Sequence, residues 1–156
     1  MAVNEIDIAA PPETVFDVLA DPRSYAHWVV GSRAIHAADP SWPAPGAVFD
    51  HSQGFGPIVL SRDSTSVLES TRPAYLKMRV QARPISVAHV TLRLTPQDDG
   101  THVVMEEVPA DLWTHITMNP LAQPLLHLRN AESLRRLKRL AEGADQFPDG
   151  ALPPRG

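Results

Sequence analysis

Apolar and polar residues alternate through a series of short runs in the middle of the chain, and this two-residue period predicts β-strands over 33–38, 47–53, 58–68, 75–83, 87–95 and 102–108. In the fourth run Leu76, Met78, Val80 and Ala82 interleave with Lys77, Arg79, Gln81 and Arg83. In the fifth, Ala88, Val90, Leu92 and Leu94 interleave with His89, Thr91, Arg93 and Thr95. One wet and one dry face is the signature of antiparallel strands. Turn signals divide the runs: Asp39-Pro40, Pro45-Gly46, the stretch 54–57, Arg72-Pro73, Arg83-Pro84 and Asp98-Asp99-Gly100. Gaps this short leave no room for parallel crossovers, which need roughly a dozen residues or more. A further short strand is predicted over 2–8, where Val3, Ile6 and Ile8 alternate with polar neighbours well enough.

Helical patterns flank the strands. Ala10-Pro11-Pro12-Glu13 opens a helix, because a proline in the first turn lacks only an N–H that would have no helical partner. Val15, Phe16, Val18 and Leu19 give it an apolar side. Asp21 and Pro22 then supply a cap and a first helical position for a second short helix carrying Tyr25 and Trp28. The stretch 121–141 predicts one long helix ended by Gly143. At about 100° per residue, Leu126, Leu134, Leu137, Leu140 and Ala141 share one arc. Arg129, Glu132, Arg135, Arg136 and Arg139 fall opposite, on a solvated face, with Glu132 and Arg136 spaced to pair. Asn130 falls inside the apolar arc. The order is strand, two short helices, antiparallel meander, long helix: an α+β domain whose curved sheet buries one face under its one long helix.

The chain has 156 residues, which suits one domain, here 1–143. The remainder, 144–156, is rich in Pro and Gly, has no period, and is predicted to be a disordered tail. Net charge is −4, which argues against nucleic acid or an anionic membrane surface as partner. The absence of cysteine excludes disulfides, thiol catalysis and Cys-based zinc sites, and fits a cytoplasmic location. No apolar run approaches the ~20 residues of a membrane span, and the opening Met-Ala-Val-Asn-Glu lacks the regions of a signal peptide. No glycine-rich phosphate loop, His-Glu-x-x-His or calcium loop is present, and the seven histidines are scattered, so neither metal nor cofactor is expected.

The stretch from Ile6 to Pro22 (Ile-Asp-Ile-Ala-Ala-Pro-Pro-Glu-Thr-Val-Phe-Asp-Val-Leu-Ala-Asp-Pro), followed by Trp28, resembles the opening of the START-like superfamily, also called SRPBCC, Bet v 1-like or polyketide cyclase/dehydrase. Val67…Thr71-Arg72-Pro73…Leu76 and Leu134-Arg135-Arg136-Leu137-Lys138 resemble it too. The resemblance spans about residues 2–142. It implies the helix-grip fold, a curved antiparallel sheet around a long C-terminal helix with a cavity between, and a small hydrophobic molecule as partner. A monomer or homodimer is expected. The superfamily holds lipid carriers, hormone receptors, aromatase/cyclases and chaperone co-factors, so function must come from the site and not from the fold.

Strand parity nominates the site. If Phe49 points inward so does His51; if Val67 does, so do Thr65 and Asp63; if Val103 and Met105 do, so does Glu107. A histidine with carboxylates in an apolar cup is equipped for proton transfer, as in an aldol-type cyclisation and dehydration, which makes His51, Asp63 and Glu107 the catalytic candidates. A one-residue slip or a bulge would turn each of them to solvent. The expected ligand wall combines Trp28, Phe49, Thr65, Met78, Val80, Val90 and Met105 with Phe55 from a hairpin turn. Trp113 would join from the long connection 109–123, a lid or a packed rim, and Asn130 and Leu134 from the helix. Trp28 either stacks on the ligand or seals the short helices against the sheet; Asn130 bonds either a ligand or neighbouring backbone. Three functions remain open: a carrier of a small hydrophobic or aromatic molecule, a cyclase/dehydratase, and an interaction module of the chaperone-activator type. A cavity of roughly 300–1,000 Å³ with an apolar lining and a few convergent polar groups would mark a small-molecule site.

Overall fold

The computed structural model describes every residue except 56–57, 83–85, 111–119, 121–122, 149 and 156; the side chains at 55, 59, 60 and 86 also lie outside the described set. One antiparallel sheet is built from β1 (Ala2–Ile8), β2 (Ser32–Ala38), β3 (Val48–Phe55), β4 (Ile58–Thr71), β5 (Tyr75–Ala82), β6 (Ser86–Gln97) and β7 (Gly100–Pro109). The spatial order is β1-β7-β6-β5-β4-β3-β2. From β2 to β7 each strand pairs with its successor, as the short turns require. β1 closes the other edge by pairing with β7, Ala2 opposite Glu107 and Ile8 opposite Thr101. Register shifts interrupt β2–β3, β3–β4 and β4–β5, the last between Val67 and Glu69. Such bulges bend and twist a strand, and here they accompany the curvature of the sheet.

The alternation places its residues as predicted. Leu76, Met78, Leu92, Leu94, Val103 and Met105 are buried, and Arg93 and Thr95 are exposed, while Thr91, expected on the wet face, is buried. Helix α1 (Pro12–Leu19) buries Val15, Phe16 and Leu19. A 3-10 turn (Pro22–Ser24) leads into α2 (Tyr25–Trp28), and the Asp21 carboxylate accepts the Arg23 backbone N–H at 3.0 Å as the cap. The long helix α3 (Gln123–Ala141) packs Leu134, Leu137 and Ala141 into the core. Gly143 ends it with φ of 78°, and the Ala144 N–H donates to the Arg139 carbonyl at 2.9 Å. Glu132 and Arg136 pair at 3.1 Å on the exposed face. The result is the helix-grip.

Tyr25, Trp28, Trp42 and Phe49 form an aromatic cluster between α2 and β3, with centroid separations from 4.6 to 5.7 Å. Both the Tyr25 hydroxyl (2.8 Å) and the Trp42 indole N–H (3.1 Å) donate to the Leu19 carbonyl. That oxygen belongs to the last turn of α1 and has no partner within the helix, so two side chains meet the need.

The described residues beyond Gly143 form no helix or strand, yet they run back over the domain. Phe147 stacks on His27 at 5.7 Å, Arg23 donates to the Gly150 carbonyl, and Leu152 packs on the core. The Ala38 N–H donates to the Pro153 carbonyl at 3.1 Å, and Arg155 pairs with Asp50. Truncation after Gly143 is expected to leave the fold intact. Uncovering the neighbours of Leu152 should cost about 1 kcal/mol, or roughly 2–4 °C in Tm; loss of the cooperative transition would instead make the tail part of the core. Among the described residues no helix is long and apolar enough to cross a membrane.

Candidate functional site

A pocket lies on the buried face of the sheet. Its apolar wall comes from Tyr25 and Trp28 of α2, Phe49 of β3, Met78 and Val80 of β5, Val90 of β6 and Met105 of β7. Its cavity volume is about 50 Å³. One water needs ~10–15 Å³ on that measure, so the pocket is a few waters in capacity and much smaller than the cleft anticipated from the sequence.

Polar groups enter in two clusters. The first is His51 with Gln53 and Thr65. His51 is buried, and its Nε2 lies 3.0 Å from Thr65 Oγ1 while Gln53 Nε2 lies 3.4 Å from its Nδ1. Burial pushes the His51 pKa below its ordinary 6.5, against the opposing pull of a hydrogen bond to the Ser64 backbone and the charges of Asp63 and Asp50.

This shift carries a pH dependence. Above 6.5 the ring is neutral in both folded and unfolded chains, and the contribution to stability is fully present. As pH falls through 6.5 the unfolded chain binds a proton that the folded one resists, so stability is lost toward the folded pKa. His89, lowered by burial and then by Lys77 and Arg79, acts in the same direction. His102, raised by hydrogen bonds to Asp7 and Glu5, acts oppositely but is solvent-screened. Between about pH 7.5 and 5 the Tm of the wild type should fall more steeply than that of His51→Gln. Parallel curves would mean that His51 titrates normally.

The second cluster joins β7 to α3. Glu107, 7% exposed, accepts Asn130 Nδ2 at 2.8 Å and Arg129 Nη2 at 3.1 and 3.2 Å on its two oxygens. Arg129 also reaches the Asn130 side-chain oxygen at 3.3 Å. A buried carboxylate is tolerable when paired and hydrogen-bonded in this way.

His51 and Glu107 therefore both line the pocket, with Trp28, Phe49, Thr65, Met78, Val80, Val90 and Met105. Asp63 does not join them. It lies opposite His51 in register, but β4–β5 pairing stops at Thr65–Val80, two residues short of it. Its carboxylate instead accepts the Ser64 backbone N–H at 2.9 Å, and its charge acts on His51 only at a distance. Asn130 and Leu134 do not line this pocket either. Asn130 is fully buried and spends its amide on Glu107, and Leu134 is packed within the core. The Phe55 side chain and Trp113, with most of the connection 109–123, lie outside the described residues.

Ser32, Val29, Gln53 and Arg129 line the pocket without having been nominated. Gln53 shares the parity of Phe49 and His51 and was within reach of the same argument. Arg129 was placed on the solvated arc. Its long side chain nevertheless reaches the Glu107 carboxylate. Among the described residues no group of three or more His, Asp or Glu is arranged to hold a metal ion.

A sequence model for the family described as polyketide cyclase / dehydrase and lipid transport matches residues 2–142. No curated protein sequence matches the chain. Several solved structures share the fold. Protein MLL2253 from Mesorhizobium loti superposes with TM-score 0.66 at 22% identity, covering 93% of this chain and 98% of its own. TTHA0849 from Thermus thermophilus gives 0.70 at 15% identity, covering 93% and 99%. The di-domain ARO/CYC StfQ from the steffimycin biosynthetic pathway gives 0.70 at 10% identity, covering 91% of this chain and 50% of its own.

Proposed function

Because the chain belongs to the polyketide cyclase / dehydrase and lipid transport family, whose members have in general a ligand-binding or cyclase role, we propose that its pocket binds a small hydrophobic or aromatic molecule without transforming it. One observation carries this reading: an aromatic and aliphatic wall encloses the pocket, and both polar clusters on it are internally bonded. Glu107 is tied to Arg129 and Asn130, and His51 is bonded to Thr65 and not to a carboxylate. Neither half of an acid–base couple is aimed at a substrate.

Thermal shift against a panel of small lipids, aromatic ketones, phenols and aromatic acids tests the proposal. A ligand present at about 100 times its Kd should stabilise by ~2.7 kcal/mol, or roughly 5–10 °C. A panel with no shift counts against a binding role.

A cyclase/dehydratase is the second reading. It is favoured by His51, which lines the same pocket and is kept neutral by burial, the state in which an imidazole takes a proton. Turnover of a poly-β-ketone that is abolished by His51→Gln would promote it over the carrier.

A further inference from the structure

We propose that the C-terminal segment 147–155 is a strap that holds the α2 wall of the pocket shut, fastened to α2 at one end and to β2 and β3 at the other. How readily this wall opens is independent of what the pocket binds.

The wall has a weak side. Helix α2 supplies Tyr25 and Trp28 to the pocket, and β3 supplies Phe49, His51 and Gln53. Only residues 29–31 separate α2 from β2. A helix of four residues has no stability of its own, so it keeps its place only through what it touches.

On its outer side α2 touches the strap. His27 is exposed, and Phe147 stacks on it at 5.7 Å. Arg23, in the 3-10 turn just before α2, lies over the same phenyl ring at 5.6 Å and donates to the Gly150 carbonyl at 2.7 Å. Leu152 then packs on the core beside a groove whose other walls are Pro22, Arg23, Ala38 and Trp42. At the sheet edge the Ala38 N–H donates to the Pro153 carbonyl at 3.1 Å. Arg155 ends the run by pairing with Asp50 at 3.0 Å. Asp50 alternates with the buried Phe49 and His51, so it stands on the outer face of β3. The segment thus starts on α2, passes the edge of β2 and finishes on the far face of the sheet. Pro153 and Pro154 have no N–H to offer, so it covers this edge without extending the sheet. Each surface contact is weak alone. Together they tie α2 to β2 and β3, and α2 cannot swing away from those strands without losing the anchors at one end.

The Trp28 indole N–H reports the opening. It is buried in the wall and has no hydrogen-bond partner, so its exchange with solvent is limited by access. Hydrogen exchange followed by NMR compares the full chain with a chain ended after Gly143. Without the strap the Trp28 indole should exchange roughly twentyfold faster or more. The β5–β6 amides, at the centre of the sheet, should gain no more than about fivefold, the share due to global stability. The full-length variant Phe147→Ala/Arg155→Ala removes one anchor from each end. It should also speed the indole more than the amides, and it serves where the shortened chain does not fold. Equal acceleration of indole and amides would mean that the tail adds only global stability. An unchanged indole rate would mean that α2 stays shut without it. Either result overturns the strap. No ligand enters the measurement, so the binding role stands or falls separately.

Discussion

Trp28→Ala is expected to destabilise the protein by about 3–5 kcal/mol, which for a chain of this length lowers Tm by roughly 6–20 °C. Trp28 is 1% exposed and its ring lies 5.1 Å from that of Tyr25. Helix α2 is four residues long and has no stability of its own. What fixes it is this ring, its aromatic neighbours, and the Val30 N–H bonded to Ser133 Oγ on α3 at 3.0 Å. Deleting the indole opens a void in the wall of the pocket and loosens the link between the short helices and α3. Trp28→Phe should recover most of the loss, because the indole N–H has no hydrogen-bond partner to forfeit. Chemical denaturation of the two variants checks both points. An unchanged Tm in the alanine variant would show that Trp28 does not seal the fold.

Asn130→Leu is the second large effect, at about 2–3 kcal/mol and roughly 4–12 °C. The substitution keeps the size and suits the apolar arc, so on packing alone it should be harmless. Its cost comes from Glu107, which would lose the 2.8 Å bond and keep only Arg129, itself 36% exposed. Arg129 would lose an acceptor as well. In a Glu107→Gln background the same change should cost less, since the charge that needed the amide is gone; a double-mutant cycle reads the difference. A cost below about 0.5 kcal/mol would mean that water or another group serves Glu107 equally well.

These two residues also show what could be read in advance. Trp28 was legible as a wall or seal because it ends a capped short helix. Asn130 stood out as a polar residue in an apolar arc, but the pattern could not say that its partner was Glu107 and not a ligand. Strand parity correctly put His51, Thr65 and Glu107 on the inner face, since neighbouring residues of known preference fix the phase. Asp63 shares the face of His51, which it pairs opposite, yet does not line the pocket, because parity does not report where the β4–β5 ladder ends. Arg129 escaped because a helical wheel follows Cα directions, and a long side chain can reverse them. The capacity of the pocket was not legible at all: alternation says which side chains face inward, while the space they leave depends on rotamers and on the depth of the sheet's curve.

The pairing of β1 with β7 has a consequence for biosynthesis. Ile8 meets Thr101 and Ala2 meets Glu107, so among the described residues β1 finds its sheet partner roughly a hundred residues later in the chain. At the usual ~5–20 residues per second, that is a wait of roughly 5–20 seconds. β2 to β7 can zip in order as each emerges beside its predecessor, but β1 cannot. Helix α1 shares the delay, because it packs on α3, β6 and β7. β1 is thus placed after β2 to β6 have been made, and the growing chain carries it unpaired until β7 emerges.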